Sequence, residues 1–507
     1  MKIINLTAVS ATFELENESI YYNDDKFDVF LDGKIVIKDE KRNVFTIFNL
    51  NPNTEYEIKA LDKTIKFKTK SVKKSYIIRE NGLKDYTEYI QKIIDEATDD
   101  SLITIEKGIY PFKYLKLKSN LTFFLKKDAI LSASTNIDDY FEIPETETVD
   151  GKIKERGTWE GSRTKMKISM INMFDLKNVD LVGEGTINGN AEKSTWWNDV
   201  KNLPYVRPHL LYINNSSYIN IVGINLKNSP QWTLHPYFSD HIGIYNIYIN
   251  NPFDSPNTDG IDPQFVENME IIGVNISVGD DCIAIKSGKM ALGELYKKPS
   301  NHIYIRNCLM ENGHGAIVLG SEMSGGIKDI EVKRCIFSNT DRGLRIKTRR
   351  GRGKTSIVDD IVFEDILMEN VLSPFTVNMF YFCDPDGKTP YVYTKTKLPV
   401  DDRTPYLGKF TFKNIKANDV EHAAGYFYGL PEMPIKEINI VDSEINVKEN
   451  ASYGKPVMMS FAETVSKMGF KFINVDNVNI KNVKLSGNYG LPFIFHGVKN
   501  FNHDWYN

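Results

Sequence analysis

The chain has 507 residues, too many for one ordinary globular core, so several domains or one elongated repeat architecture is expected. With 41% hydrophobic and 26% charged residues it has the composition of a folded protein, which excludes a disordered one. A net charge of -4 argues against a general nucleic-acid binder, so any polyanion it handles must meet a local basic patch.

The N-terminal stretch MKIINLTAVSATFELENES holds one lysine, early acidic residues and no continuous apolar core. It lacks the form of a secretory signal, and no later stretch approaches the roughly 18 apolar residues of a membrane span. The expectation is a cytoplasmic chain, or a secreted one if a leader has been removed, with neither a nucleic-acid nor a membrane partner. Residues 1–72 alternate apolar and polar positions in short runs: Phe27-Val29-Leu31, Ile35-Ile37, Val44-Thr46-Phe48, Tyr56-Ile58 and Ile65-Phe67. Turn formers such as Asp32-Gly33 and Asn51-Pro52-Asn53 separate them, and period-two runs so spaced predict a small antiparallel β-sandwich. The stretch Leu50-Asn51-Pro52-Asn53-Thr54-Glu55-Tyr56 resembles the tyrosine-corner region of fibronectin type III domains. A lysine-rich connector, Lys68 to Lys74, leads to an amphipathic helix with Tyr86, Tyr89, Ile90, Ile93, Ile94 and Ala97 on one face. Asp85 and Glu88 have the spacing of a capping box for this helix, which would cover the open first layer of the next sheet.

The second unit, residues 75–507, repeats one phrase from about residue 100 onward: a polar or Asn-bearing turn, then two or three alternating β-branched residues. Examples begin at Asn178, Tyr218, Asn268, Asn301, Lys328, Asp360, Glu437 and Asn477. Single strands recurring irregularly, with no helical pattern between them, predict an all-β chain dominated by a solenoid of parallel β-coils. A propeller would need strands grouped in fours. Cys282, Cys308, Cys335 and Cys383 form no CxxC pair and read as reduced core residues, with no metal site.

Four motifs stand out within this unit: Asn257-Thr258-Asp259-Gly260, Gly279-Asp280-Asp281, Gly313-His314-Gly315 and Arg345-Ile346-Lys347-Thr348. In a solenoid, residues one coil apart stack at roughly 4.8 Å. Asp259 and Asp281 are 22 positions apart (281 minus 259), about one coil. Removing an apparent insertion from Lys289 to Ser300 brings His314 onto the next coil, and a small Gly-rich insertion separates it from Arg345. All four motifs would then line one groove. Glycoside hydrolysis needs a carboxylic acid to protonate the leaving oxygen and a carboxylate to act as base or nucleophile. Three crowded carboxylates would raise at least one pKa, and Arg345 and Lys347 could pair with an acidic sugar. Glycines beside His314 would let a sugar ring approach the backbone.

In this order the motifs resemble the signature of glycoside hydrolase family 28, the polygalacturonases. The flanking stretches from Ser229 to Pro236 and from Cys282 to Gly288 are similar to bacterial members. The resemblance implies a right-handed parallel β-helix and inverting hydrolysis of α-1,4-linked galacturonan, with no metal and no cofactor. It assigns Asp280 as general acid, Asp259 and Asp281 to position and activate the water, and His314 to support the acid. Arg345 and Lys347 would bind the galacturonate carboxylate, with Asn257 and Lys286 also binding substrate. Insertions at about 140–165, 191–208 and 384–405 are expected to wall off one end of the groove, giving exo action from the non-reducing end. An endo-acting enzyme, a galacturonan lyase and a non-catalytic carbohydrate-binding solenoid remain as alternatives.

Several residues carry two readings. Arg349, Arg350, Arg352 and Lys354 form either a solvated charged loop or a subsite for a second uronate. Asp262 could simply pin a turn. Trp232 and His235 are expected to pack, and Trp196 and Trp197 are either a sugar platform or loop anchors.

Overall fold

The computed structural model describes residues 1–504. Its N-terminal part is a sandwich of two antiparallel sheets. One holds Lys2–Leu6, Ala11–Glu14 and Val44–Ile47; the other holds Lys34–Arg42, Tyr22–Leu31, Glu55–Ala60 and Lys63–Lys68. Phe13, Phe27, Val29, Phe45, Ile58 and Phe67 fill the space between them. The alternation expected from the sequence fails in Ala11–Glu14 and Val44–Ile47, where every residue is buried. That sheet is covered on both faces: Phe13 and Phe45 point into the sandwich, while Glu14, Val44 and Thr46 meet the solenoid.

The junction is apolar and charged at once. Phe48 and Val44 pack on Val182, Val222, Tyr245 and Ile272. Gly223 lies under Phe48, whose Cζ would stand 2.2 Å from a Cβ there, and its φ of 76° also favours glycine. Glu14, fully buried, accepts from Arg306 Nε (2.9 Å), Arg334 Nη2 (2.9 Å) and Asn307 Nδ2 (2.8 Å).

The solenoid starts with Lys74–Ile78, which pairs in parallel with Ser101–Ile105. Helix Thr87–Glu96 buries Ile90 and Ile94 against this first coil. The expected capping box is not formed: the helix N-cap is Tyr86, and Asp85 Oδ1 instead accepts from Thr87 N in a turn before the first helical residue. From there the coils stack in register. One inward position runs Leu121, Val179, Ile219, Ile242, Met269, Ile303, Ile330, Ile361, Phe410, Ile438, Val478, Phe501. The residues before these positions form a column in the left-handed region: Asn178, Tyr218, His241, Asn268, His302, Asp329 and Asp360. Asn and Asp tolerate that conformation best, which explains the polar turn where the phrases begin at Asn178, Asn268 and Asp360.

A second ladder includes Leu234–Tyr237, Ile283–Ile285, Ile317–Leu319, Arg342–Lys347 and Ser373–Asn378, joined through the bridges of Ile261 to Leu234 and Ile283. The first three motifs lie just ahead of its strands, and the fourth closes the strand Arg342–Lys347. The insertion expected at Lys289–Ser300 contains a short helix, Met290–Tyr296. The insertion at 140–165 folds into antiparallel hairpins, Thr146–Val149 with Lys152–Glu155 and Thr158–Trp159 with Ser162–Arg163. Cys282, Cys308 and Cys335 are free and buried; Cys383 is free and partly exposed. Among the described residues, no helix is long and apolar enough to cross a membrane.

Candidate active site

The register places the motifs together. Ile261 bridges Ile283, which pairs with Ile317, which pairs with Leu344, so Asp259, Asp281, His314 and Arg345 emerge from successive coils. Gly260 N donates to Asp281 O (3.0 Å) and His314 N to Asp280 O (3.0 Å), locking the motif loops to one another. The glycine before His314 serves this stacking and not sugar approach. A Cβ at Gly313 would stand 2.6 Å from Cys282 Sγ and 2.8 Å from Asp280 O, both in the coil below.

Asp259, Asp280 and Asp281 each present an oxygen within 4.8 Å of the others. Such a set could also hold a cation, but neighbouring side chains already supply positive charge. Lys347 Nζ lies 2.8 Å from Asp281 Oδ2, and Arg345 Nη1 3.3 Å from Asp281 Oδ1. Lys286 is buried beneath the carboxylates, 3.1 Å from Asp262 and 3.9 Å from Asp259, with the Trp232 ring 4.5 Å from its ammonium. Asp280 alone of the three is partly exposed; its Oδ1 accepts from Asp281 N (2.9 Å) and lies 3.3 Å from His314 Nδ1.

These like residues are driven apart in acidity. Burial, then the charges of Asp262 and Asp280, pushes the Asp259 carboxyl well above the usual range. Burial likewise takes Asp262 up to about 7, against the pull of Lys286. Burial acts on Asp281 in the same sense, but Lys347 and Arg345 outweigh it and hold this carboxyl well below the usual range. The His314 imidazole is raised, first by its hydrogen bond to Asp280.

A cavity of about 940 Å³ opens beside Asp280 and His314. Two of the expected insertions build its walls: Glu142, Glu145, Trp159, Glu160 and Lys165 from one, Lys201, Tyr205 and Arg207 from the other. Asn257 lines it too, and its Oδ1 accepts from Arg207 Nη2 at 2.6 Å. Spacing does not reveal Arg207, because it arrives from an insertion and lies outside the repeat. Glu322, buried near Lys286, Lys347 and Lys289, is also new; burial raises its carboxyl, but those lysines prevail and keep it low.

Other residues resolve to structural duty. The run Arg349, Arg350, Arg352 is neither solvated nor free: each is at most 3% exposed. Arg349 pairs with Asp386 (2.7 Å) and Arg352 with Asp384 (2.6 Å), and Arg350, paired with Glu432 (2.5 Å), donates to Thr394 O (2.7 Å); together these tie down the third insertion. Only Lys354 of this set is exposed, on Asp402. Trp196 is fully buried between Tyr140 and Tyr205, and Trp197 donates to Ser229 O (3.2 Å), so both anchor their loop. Trp232 and His235 pack with His209 and Trp159. Burial drives His235 down to about 3, leaving it neutral near physiological pH.

Comparison with known proteins bears on the family and the fold. The family model "Glycosyl hydrolases family 28" matches residues 126–404. A "Probable polygalacturonase" of Vitis vinifera is 33% identical over 339 residues, 66% of this chain and 65% of that protein. This chain thus spans just under two thirds of the length of that relative. An "Endo-polygalacturonase" of Pectobacterium carotovorum subsp. carotovorum is 28% identical over 311 residues, covering 58% of this chain and 72% of that one. Among solved structures, a family 28 exopolygalacturonase of Yersinia enterocolitica superposes with a TM-score of 0.69 at 18% identity, over 99% of this chain and 97% of that one. An exopolygalacturonase of Thermotoga maritima gives 0.65 at 24% identity, over 81% and 92%. At these identities the structural likeness speaks for the parallel β-helix fold alone.

Proposed function

The chain belongs to glycosyl hydrolases family 28, and from that premise we propose that it hydrolyses α-1,4-linked galacturonan. The observation that carries the reading is the meeting of three carboxylates, two of them driven to opposite acidities, with Arg345 and Lys347 at the edge of a cavity that Asp280 lines. Asp280, the carboxyl group facing that cavity, protonates the leaving glycosidic oxygen, and His314 holds it in place. Asp281, kept ionised by its two cations, takes the proton of the attacking water. Asp259, the carboxyl most inclined to keep its proton, positions that water by a hydrogen bond. Arg345 and Lys347 bind the carboxylate of an adjacent galacturonate with the donors that Asp281 leaves over. Lys286 acts from below, fixing Asp259 and Asp262.

Action is from the chain end. Walls from residues 140–165 and 191–208 close the cavity on one side, which suits a pocket for a non-reducing terminus. Polygalacturonate digestion tests this: reducing ends should accumulate while viscosity falls slowly, and an early collapse of viscosity would mean endo cleavage.

Attack by water at Asp281 inverts the anomeric centre. A retaining course is the second reading, because the acid oxygens approach within 4.8 Å, nearer the roughly 5–5.5 Å of retaining enzymes than the roughly 6.5–9.5 Å of inverting ones. Proton NMR of the first product decides: the β-anomer means inversion, the α-anomer retention through a glycosyl-Asp intermediate. An unsaturated product lost on adding EDTA would instead mean a lyase using the carboxylates as a cation site.

Residues 1–72 form a fibronectin type III-like module ahead of a catalytic unit over 75–507. Supporting this, Tyr56 Oη accepts from Asn51 N at 2.8 Å, the bond typical of a tyrosine corner.

A further inference from the structure

Arg207 reaches the cavity from the insertion at 191–208 and is 3% exposed. Its donors meet neutral oxygens only: Nη1 donates to Pro230 O (2.8 Å) and Pro256 O (3.0 Å), and Nη2 to Asn257 Oδ1 (2.6 Å). The Trp159 ring flanks the guanidinium, 5.9 Å from its centroid. Among the described residues Arg207 forms no ion pair. Arg345, Arg349, Arg350 and Arg352, also buried or nearly so, each have a carboxylate partner. Burying a guanidinium without a counter-charge is costly. Burial does lower the Arg207 pKa, to about 10 despite the fields of Asp259 and Asp280, but it remains a cation at neutral pH.

A cation held in place by three neutral acceptors beside an open cavity is poised for an anion that comes and goes. Three of its five N–H donors are used within the protein, which leaves two, Nε–H among them, for a carboxylate. Its position narrows the choice of carboxylate. Arg207 is anchored on the coils of Pro230 and Pro256–Asn257, on one side of Asp280 along the solenoid axis. Arg345 descends to Asp281 from a later coil, on the other side.

We propose that Arg207 binds the carboxylate of the uronic acid unit held on the walled side of the cleavage point, so that the site reads an acidic sugar on both sides of the bond it breaks. Asn257 then orients Arg207 and does not itself recognise the sugar. The inference rests on the galacturonan reading and names the terminal acidic unit as a specificity determinant of the same site.

The test compares trigalacturonate with trigalacturonate methyl-esterified only at its non-reducing unit, on wild type, Arg207→Gln and Arg207→Lys. Circular dichroism and melting temperature confirm that the variants fold. Wild type should lose about 10- to 100-fold in kcat/KM on esterification, the worth of a charge-assisted hydrogen bond. Arg207→Gln should treat the two substrates alike, and Arg207→Lys should recover part of the preference. The proposal is overturned if Arg207→Gln keeps the full preference. It is also overturned if that variant falls equally on both substrates with a shifted pH profile, for then Arg207 serves only Asp259 and Asp280. Calorimetric binding of the two oligomers needs no turnover. A wild type that prefers the acid but cleaves neither refutes the hydrolase reading alone, and the same comparison on the variants still decides Arg207.

Discussion

Buried charge is arranged in two opposite ways in this molecule. At the junction of sandwich and solenoid, one carboxylate, Glu14, is met by Arg306, Arg334, Lys2 and Asn307. At the active site, Asp259, Asp262, Asp280, Asp281 and Glu322 crowd around Lys286, Lys347 and Arg345. Both clusters border a cavity, of about 810 Å³ at the first and about 940 Å³ at the second, but the first is over-supplied with donors while the second is short of cations. A satisfied cluster fixes geometry, while an unsatisfied one sets identical side chains to different acidities. That contrast separates docking from chemistry more reliably than burial does, since both clusters are buried.

The sharpest way to break the contrast is at Asp280. Asp280→Asn should lower turnover of oligogalacturonate by about 10³-fold or more while leaving binding and melting temperature nearly unchanged. Retained activity would remove Asp280 from the acid's role. Glu14→Ala should do the reverse. It leaves Arg334 with no carboxylate and Arg306 with Glu270 alone, a loss of about 3 kcal/mol, with kcat per folded molecule unaltered. Urea unfolding alongside steady-state kinetics checks both halves; a Glu14 variant impaired in kcat but not in stability would erase the distinction.

A smaller effect is expected at His314. Its folded pKa lies above its unfolded value near 6.5, so its stabilising pair with Asp280 is complete below that value and lost as pH rises through the folded pKa. His314→Gln should therefore cost activity most on the acid side and flatten the alkaline limb of the kcat/KM profile. An unchanged limb would assign that limb to another group.

Much of the site was legible because a solenoid converts sequence interval into distance. Asp259 and Asp281, 22 positions apart, are coil neighbours, and Ile261 bridging Ile283 is the register that makes them so. Asn178, Asn268 and Asp360, each heading a phrase, are legible for a related reason: they occupy left-handed positions that few other residues tolerate. Where the repeat is interrupted, the insertions could be located but their folds could not be read. Arg207 and the cavity walls come from insertions, whose folding no coil interval dictates. The alternation of Val44–Ile47 failed because its outer face is covered by a partner distant in sequence.

The same limit explains the basic run, and the weakest prediction draws on it. Arg349, Arg350, Arg352 and Lys354 are indistinguishable by composition, yet the third insertion folds over the first three and leaves the last in water. Arg350 gives two bonds to Glu432 and donates to the carbonyl oxygen of Thr394, so Arg350→Met would leave the buried Glu432 carboxylate with only a long bond from Leu398 N (3.5 Å) and no counter-charge. Lys354 loses only a screened pair with exposed Asp402. Lys354→Ala should therefore leave the unfolding midpoint where it is at any salt concentration, while Arg350→Met lowers it and loosens residues 384–405 to protease. If the two behave alike, the insertion does not cover the run in solution, and the difference between a satisfied buried charge and a solvated one is not what divides these four residues.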